Sequence, residues 1–325
     1  MRVGFIGLGN VGAKLAGSLL RNGFDLAVLD LDRDAAAPLL EQGARWAESP
    51  SALTRDSDVV ITCLPSPAAS AAVLEDEGGV LAGMGEGRIW AEMSTTDESE
   101  VKRLGEKVAA AGGHPVDCPV SGGCHRAATG NISIFAGCDR ETFDRLLPIL
   151  ACMGRNILHT GPLGSASILK VITNYLATAN LVSLCEAFTV ASKTGMDLNA
   201  TYEAIRISSG NSFVHETESQ VMLNGSRDIN FTMDLVCKDL GLFQALADRT
   251  DVPLEISPML LEAFREAESC YGGREWSPNI VRRLEEKCGV RILADGFPAE
   301  MTDDEPEEPG REVLPRNVPA AEAPE

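Results

Sequence analysis

Val3-Gly4-Phe5-Ile6-Gly7-Leu8-Gly9-Asn10-Val11-Gly12, near the start of the chain, decides the fold. An apolar run of strand character passes directly into a GxGxxG turn, and an amphipathic stretch from Val11 to Asn22 follows. That order of strand, glycine turn and helix is the context a dinucleotide-binding loop requires. Each glycine meets a different steric demand: Gly7 permits the tight turn, Gly9 lets a pyrophosphate approach the backbone, and Gly12 lets the helix pack on the strand. Leu8, Asn10 and Val11 complete the loop, and the helix N-terminus presents unpaired N–H groups and a positive dipole end to phosphate. Asp30 ends the second apolar run, Leu26 to Leu29. It stands at the spacing of about 20 residues where a carboxylate accepts hydrogen bonds from the adenine ribose hydroxyls. Leu31 and Asp32 come next, with no arginine at either position to receive a 2′-phosphate, and Arg33 lies a little further on. The pattern predicts NAD in preference to NADP.

Working outward, short apolar runs at Val59 to Leu64, Ile89 to Met93, near Val116, Ile132 to Ala136 and a pair around Ile157 alternate with helical stretches. The helical stretches are Ala35 to Gln42, Ala68 to Leu74 and Ser99 to Ala111. Such alternation predicts an α/β domain of Rossmann type, a doubly wound parallel sheet with helical crossovers. From Ser165 the pattern becomes one long helix to Thr194, stopped by Gly195, and then further helices punctuated by Gly, Pro and Asn. The predicted domains are therefore 1–163, NAD-binding; 164–293, all-helical, joined through the long interdomain helix; and 294–325, an acidic tail. The tail, with Asp303-Asp304-Glu305-Pro306-Glu307-Glu308-Pro309, offers little apolar surface and reads as disordered. On this reading its deletion after Gly296 changes neither stability nor turnover.

A formal net charge of -20 over 325 residues argues against partnership with nucleic acid or an anionic membrane surface. No export signal opens the sequence, and no uninterrupted apolar run of the ~20 residues needed to span a bilayer is visible. A cytoplasmic location is the expectation. Nine cysteines without a CxxC pair and four histidines without helical spacing predict free thiols and no metal site.

Further motifs carry chemistry. After a strand, the Ser121-Gly122-Gly123 turn of Asp117-Cys118-Pro119-Val120-Ser121-Gly122-Gly123 offers a hydroxyl and close-set N–H groups, a nest for a small anion. Residues Lys170 and Asn174, four apart, share a helical face, and apolar neighbours surround the lysine stem. With Gly161-Pro162-Leu163-Gly164 and Lys238-Asp239-Leu240, these segments resemble the β-hydroxyacid dehydrogenase family, the group that includes 3-hydroxyisobutyrate dehydrogenase and tartronate semialdehyde reductase. The likeness runs from residue 1 to about 290. Cys118, Asn131 and Ala166 depart from the residues common at those positions.

The resemblance implies a hydride transfer between NAD and a small β-hydroxy acid or semialdehyde carboxylate. Lys170 is then the general acid or base, Ser121, Gly122 and Gly123 hold the substrate carboxylate, and Asn174 orients it. It further implies that Leu64 and Pro65 line the adenosine side, that Ser94 and Thr95 lie near the nicotinamide ribose, and that Phe231 and Lys238 face the cofactor. A homodimer or homotetramer is implied as well. Competing readings are a non-catalytic dinucleotide-binding module and an imine reductase on the same fold. Cys124, His125, Arg126, Phe213 and His215 are candidates for the distal end of the substrate pocket.

Overall fold

The computed structural model describes residues 1–316. Its sheet contains β1 (Arg2–Ile6), β2 (Asp25–Leu29), β3 (Arg45–Trp46), β4 (Val59–Thr62), β5 (Ile89–Glu92), β6 (His114–Asp117), β7 (Val120–Ser121), β8 (Ile132–Gly137), β9 (Gly154–Gly161) and β10 (Arg311–Glu312). Strand order is β10-β9-β8-β6-β5-β4-β1-β2-β3, with β7 on β8. All neighbours from β3 to β6 are parallel, and β8 turns antiparallel to β6. The order reverses between β1 and β4, the switch point where an open α/β sheet leaves a crevice beyond its strand ends. Side chains alternate between two apolar layers: Phe5 and Ile61 go to one core cluster, Ile6 and Val60 to the other. Burial on both faces is why these strands read as continuous apolar runs.

The chain divides into two compact units, Met1–Lys170 with Asp303–Glu325, and Val171–Thr302. The division falls inside the Ser165–Lys193 helix, after Lys170. By length and composition this 29-residue helix is long and apolar enough to cross a bilayer, which corrects the expectation that no such segment exists. Its Leu181, Leu184, Cys185 and Phe188 are instead buried in the helical core of the second unit, with Val214, Met222, Val236 and Phe264.

Two longer helices escaped the sequence reading, as did the short Pro50–Arg55, Val80–Gly83 and Cys124–Ala128. Arg140–Met153 carries Pro148 in its interior, a residue that normally breaks the pattern. Phe213–Asn224 buries Val214, Thr217, Ser219, Val221, Met222 and Leu223, so no single apolar stripe marks it. His215, on that helix, is a fully buried core residue bonded to Ser219 Oγ at 3.2 Å and Tyr202 O at 2.9 Å, not part of a substrate pocket.

The tail is the principal correction. Residues 317–325 lie outside the described residues, but Asp303 to Arg316 pack on the first unit. β10 adds a parallel strand to β9, with Arg311 opposite Asn156. Arg155 pairs with Glu305 and Glu308, each at 2.6 Å, Arg140 with Glu312 at 2.7 Å, and Arg21 with Glu307 at 3.3 Å. Gly310 fits where a Cβ would stand 1.9 Å from Gly154 O. The segment is ordered by charge and backbone pairing rather than by apolar burial, and the arginines that receive it come from three separate parts of the chain. Truncation after Thr302 should therefore lower the melting temperature by about 3 °C or more, on the scale where ~1 kcal/mol moves a protein of this size by a few degrees. The loss should shrink in high salt, and an unchanged Tm at low salt would contradict the docking.

Candidate active site

Gly7 has φ +98° and a Cβ there would lie 2.3 Å from Cys63 O, while one on Gly12 would lie 2.0 Å from Gly7 O. Gly9 differs, because a Cβ on it would meet no atom within 4 Å. The first and third glycines are thus demanded by the fold, and the second leaves open space over the loop. The Gly12–Arg21 helix begins without a side-chain cap and without an acidic residue in its first turn. The positive dipole end of the helix suits a phosphate. Asp30, at the end of β2, accepts the Leu8 N–H at 2.6 Å and the Asp32 N–H at 2.9 Å, so its carboxylate braces the loop. These residues fit a dinucleotide.

At the ends of β4 and β5, the Leu64 N–H donates to Ser94 Oγ at 2.7 Å, and Ser94 donates both its N–H and its hydroxyl to Glu92 Oε1. Pro65 and Thr95 continue these two strand ends. Glu92 is buried, and burial pushes its carboxyl above the usual carboxylate range against the hydrogen bonds of Ser94. Sequence reasoning missed Glu92, since an acid at a strand end carries no signal of its own.

Asp117, fully buried at the end of β6, accepts the Gly164 N–H at 2.8 Å, the Ser167 N–H at 2.7 Å and the Ser167 hydroxyl at 2.9 Å. Burial raises its carboxyl, though these three donors pull the other way. One side chain therefore fixes the first turn of the Ser165–Lys193 helix to the strand that leads into the Ser121-Gly122-Gly123 loop. Lys170, 7% exposed, lies about one turn further along that helix. Gly122 and Gly123 have φ of +128° and +89°, conformations that L side chains rarely adopt. His125 closes over Gly123, where a Cβ would fall 2.8 Å from its ring, and the stem of Arg126 runs beside Gly122.

In the second unit, Asn174 Nδ2 donates to Asp239 Oδ2 at 2.5 Å, and Lys238 Nζ pairs with Asp239 Oδ1 at 2.9 Å. Asp239 is buried and binds both groups that the sequence singled out. Phe231 packs against the core of the same unit.

Residues 2–161 match the family described as the NAD binding domain of 6-phosphogluconate dehydrogenase, and residues 164–284 that of NADP-dependent 3-hydroxyisobutyrate dehydrogenase. The 2-(hydroxymethyl)glutarate dehydrogenase of Eubacterium barkeri is 31% identical over 293 residues, covering 90% of this chain and 97% of that one. This chain belongs to the β-hydroxyacid dehydrogenase family. Among the family's other members, the NAD-dependent L-serine dehydrogenase of Pseudomonas aeruginosa is 32% identical over 291 residues, 87% of this chain and 97% of that one. The crystal structure of 3-hydroxyisobutyrate dehydrogenase from Salmonella typhimurium superposes with TM-score 0.81 at 28% identity, covering 87% and 99% of the two chains. An imine reductase of Myxococcus stipitatus, 16% identical with TM-score 0.61 and covering 87% of this chain and 99% of that one, shares the fold alone. As a β-hydroxyacid dehydrogenase the protein is an oxidoreductase acting on the hydroxyl group of a hydroxy acid, and it binds NAD or NADP.

The glycine geometry separates stability from binding. Gly9→Val should fold with a Tm close to the parent's and lose NADH binding, measured by fluorescence titration, because its side chain enters the open space. Gly12→Val should lose stability by several degrees, because it strikes Gly7 O. Equal destabilisation by both would show that Gly9 is also a packing glycine.

Proposed function

We propose that the protein is an NAD-preferring dehydrogenase of a small β-hydroxy acid or its semialdehyde, with 3-hydroxyisobutyrate-like or tartronate semialdehyde-like chemistry. The observation that carries this reading is the Asp117 anchor, which ties the helix bearing a buried lysine to the strand feeding an anion-binding loop. Ser121, Gly122 and Gly123 hold the carboxylate through the hydroxyl and backbone N–H groups. Lys170 gives a proton to the carbonyl oxygen in reduction and takes one from the alcohol in oxidation. Asn174, one turn along the same helix, orients that oxygen, while Asp239 fixes the amide of Asn174 and the ammonium of Lys238. The bound nicotinamide supplies or accepts the hydride. Leu64, Pro65, Ser94 and Thr95 of the first unit position it. A retained lysine and an intact Ser-Gly-Gly turn weigh against a non-catalytic module and against imine reduction.

Support for NAD over NADP is the carboxylate of Asp30, followed by a fully exposed Leu31, with the Arg33 guanidinium over the Trp46 ring at 5.1 Å. A repelled 2′-phosphate should make kcat/KM with NAD exceed that with NADP; the reverse order would sink this part of the reading. A cytoplasmic homodimer or homotetramer, acting on a small carboxylate without nucleic-acid or membrane partners, completes the proposal.

Lys170→Ala should reduce kcat by at least ~100-fold, the usual scale of general acid-base catalysis. Its affinity for NADH should stay near the parent's. Turnover close to normal in that variant would move the proton transfer to another group.

A further inference from the structure

We propose that Glu305, brought to the first unit by the docked C-terminal segment, sets the charge selectivity of the Ser121-Gly122-Gly123 loop in favour of substrates with one carboxylate over those with two. The inference rests on the reading of that loop as the carboxylate site. Its own grounds lie outside the segment matched to the family, which ends at residue 284.

Arg126 is the cation built into the loop region. Its stem lies against the anion nest, since a Cβ on Gly122 would stand 3.5 Å from Arg126 Cδ. A second carboxylate on a substrate held by the nest would find this guanidinium near at hand. Glu305 engages it first: its Oε1 lies 3.7 Å from Arg126 Nη2, and its Oε2 lies 2.6 Å from Arg155 Nη1. The carboxylate thus bridges two arginines, one of them beside the nest.

Glu305 is also held in place by its own neighbours. Asn131 Nδ2 donates to Asp303 Oδ2 at 2.8 Å and to Glu305 O at 3.0 Å, and the Thr129 hydroxyl donates to Asp303. Both donors directly follow the Cys124–Ala128 helix that leaves the Ser-Gly-Gly turn. Burial pushes the His125 imidazole below its ordinary value, with Arg126 adding to the effect, so at neutral pH it does not replace the charge that Glu305 cancels. Acid from the tail therefore offsets part of the loop's cationic charge beside the nest, and removing the Glu305 charge makes those surroundings more cationic toward a dianion.

The test compares matched mono- and dicarboxylates. Glutarate and butyrate are titrated by calorimetry into the enzyme–NADH complex, and initial rates are measured with 2-(hydroxymethyl)glutarate and 3-hydroxyisobutyrate. In Glu305→Gln, affinity for glutarate should rise by about fivefold, the upper range for one partly exposed charge pair. Affinity for butyrate should stay within about twofold on the same scale, and KM should follow the same split. Arg126→Gln added to Glu305→Gln should restore the parent ratio. Glu307→Gln, which loosens the tail at Arg21 without touching Arg126, should leave the ratio unchanged. An unchanged ratio in Glu305→Gln, or an equal shift in Glu307→Gln, would overturn the proposal while the carboxylate reading stands. A parent enzyme that binds neither acid and oxidises neither alcohol would overturn that reading and this inference with it.

Discussion

Asp117 is the constraint on which the arrangement of the first unit depends. A carboxylate with no exposed surface must receive hydrogen bonds or give up its charge. Here it takes three, all from the first turns of the Ser165–Lys193 helix and the Gly164 amide before it. The interaction satisfies two leading helix N–H groups that would otherwise lack acceptors. It also fixes where Lys170 stands relative to the strand end from which the Ser-Gly-Gly loop departs. Gly137 is shaped by the same group, since a Cβ on it would lie 2.4 Å from Asp117 Oδ1. The neighbouring thiol of Cys118 is raised well above its ordinary value by burial, with Asp117 adding to the effect, and so stays inert.

The glycine loop follows the same logic, with a carboxylate organising backbone N–H groups at a strand end. Asp30 binds the Leu8 and Asp32 amides, so the carboxylate at the end of β2 holds the glycine loop. Glu92 does the corresponding work at β5, using Ser94 to reach the Leu64 amide on the neighbouring strand end. Three acids at the carboxyl ends of β2, β5 and β6 thereby brace the loops around the switch point. A ligand entering there meets preorganised N–H groups and hydroxyls rather than mobile loops, which reduces the ordering cost of binding.

What the sequence made legible follows from locality. The β1 strand, its glycine turn and its helix are specified by ten adjacent residues, and Asp30 by its distance from them, so pattern and geometry coincide. Helical spacing put Lys170 and Asn174 on one helix, and the Ser165–Lys193 helix carries both. Asp117 and Asp239 were present in the quoted motifs and Glu92 within the Ile89 to Met93 run, but their work is done through partners 2 to 65 residues away, which no motif names. His215, a candidate for the distal end of the substrate pocket, has its two ring nitrogens satisfied inside the helical core. Pro148 hid a helix for a local reason, because a breaker residue outweighed the apolar pattern around it.

The acidic tail shows why composition alone misleads. A segment with few apolar residues cannot order itself by burial, and disorder is the correct inference when nothing else compensates. Compensation here comes from outside the segment, from Arg21, Arg140 and Arg155, which no window of sequence would join into a basic patch. The structural demand comes from the sheet. β9 would otherwise present an unpaired edge, a liability that proteins cover with a strand or with charge. β10 supplies the strand, and the acids on either side of it supply the charge that keeps it in register. In a chain of net charge -20, concentrating acids against a few arginines also relieves repulsion that a solvated tail would leave spread over the surface. The segment that carries the edge strand also reaches, through Asp303 and Glu305, the residues at and after the Cys124–Ala128 helix, so covering the sheet edge and fixing that helix end are one event.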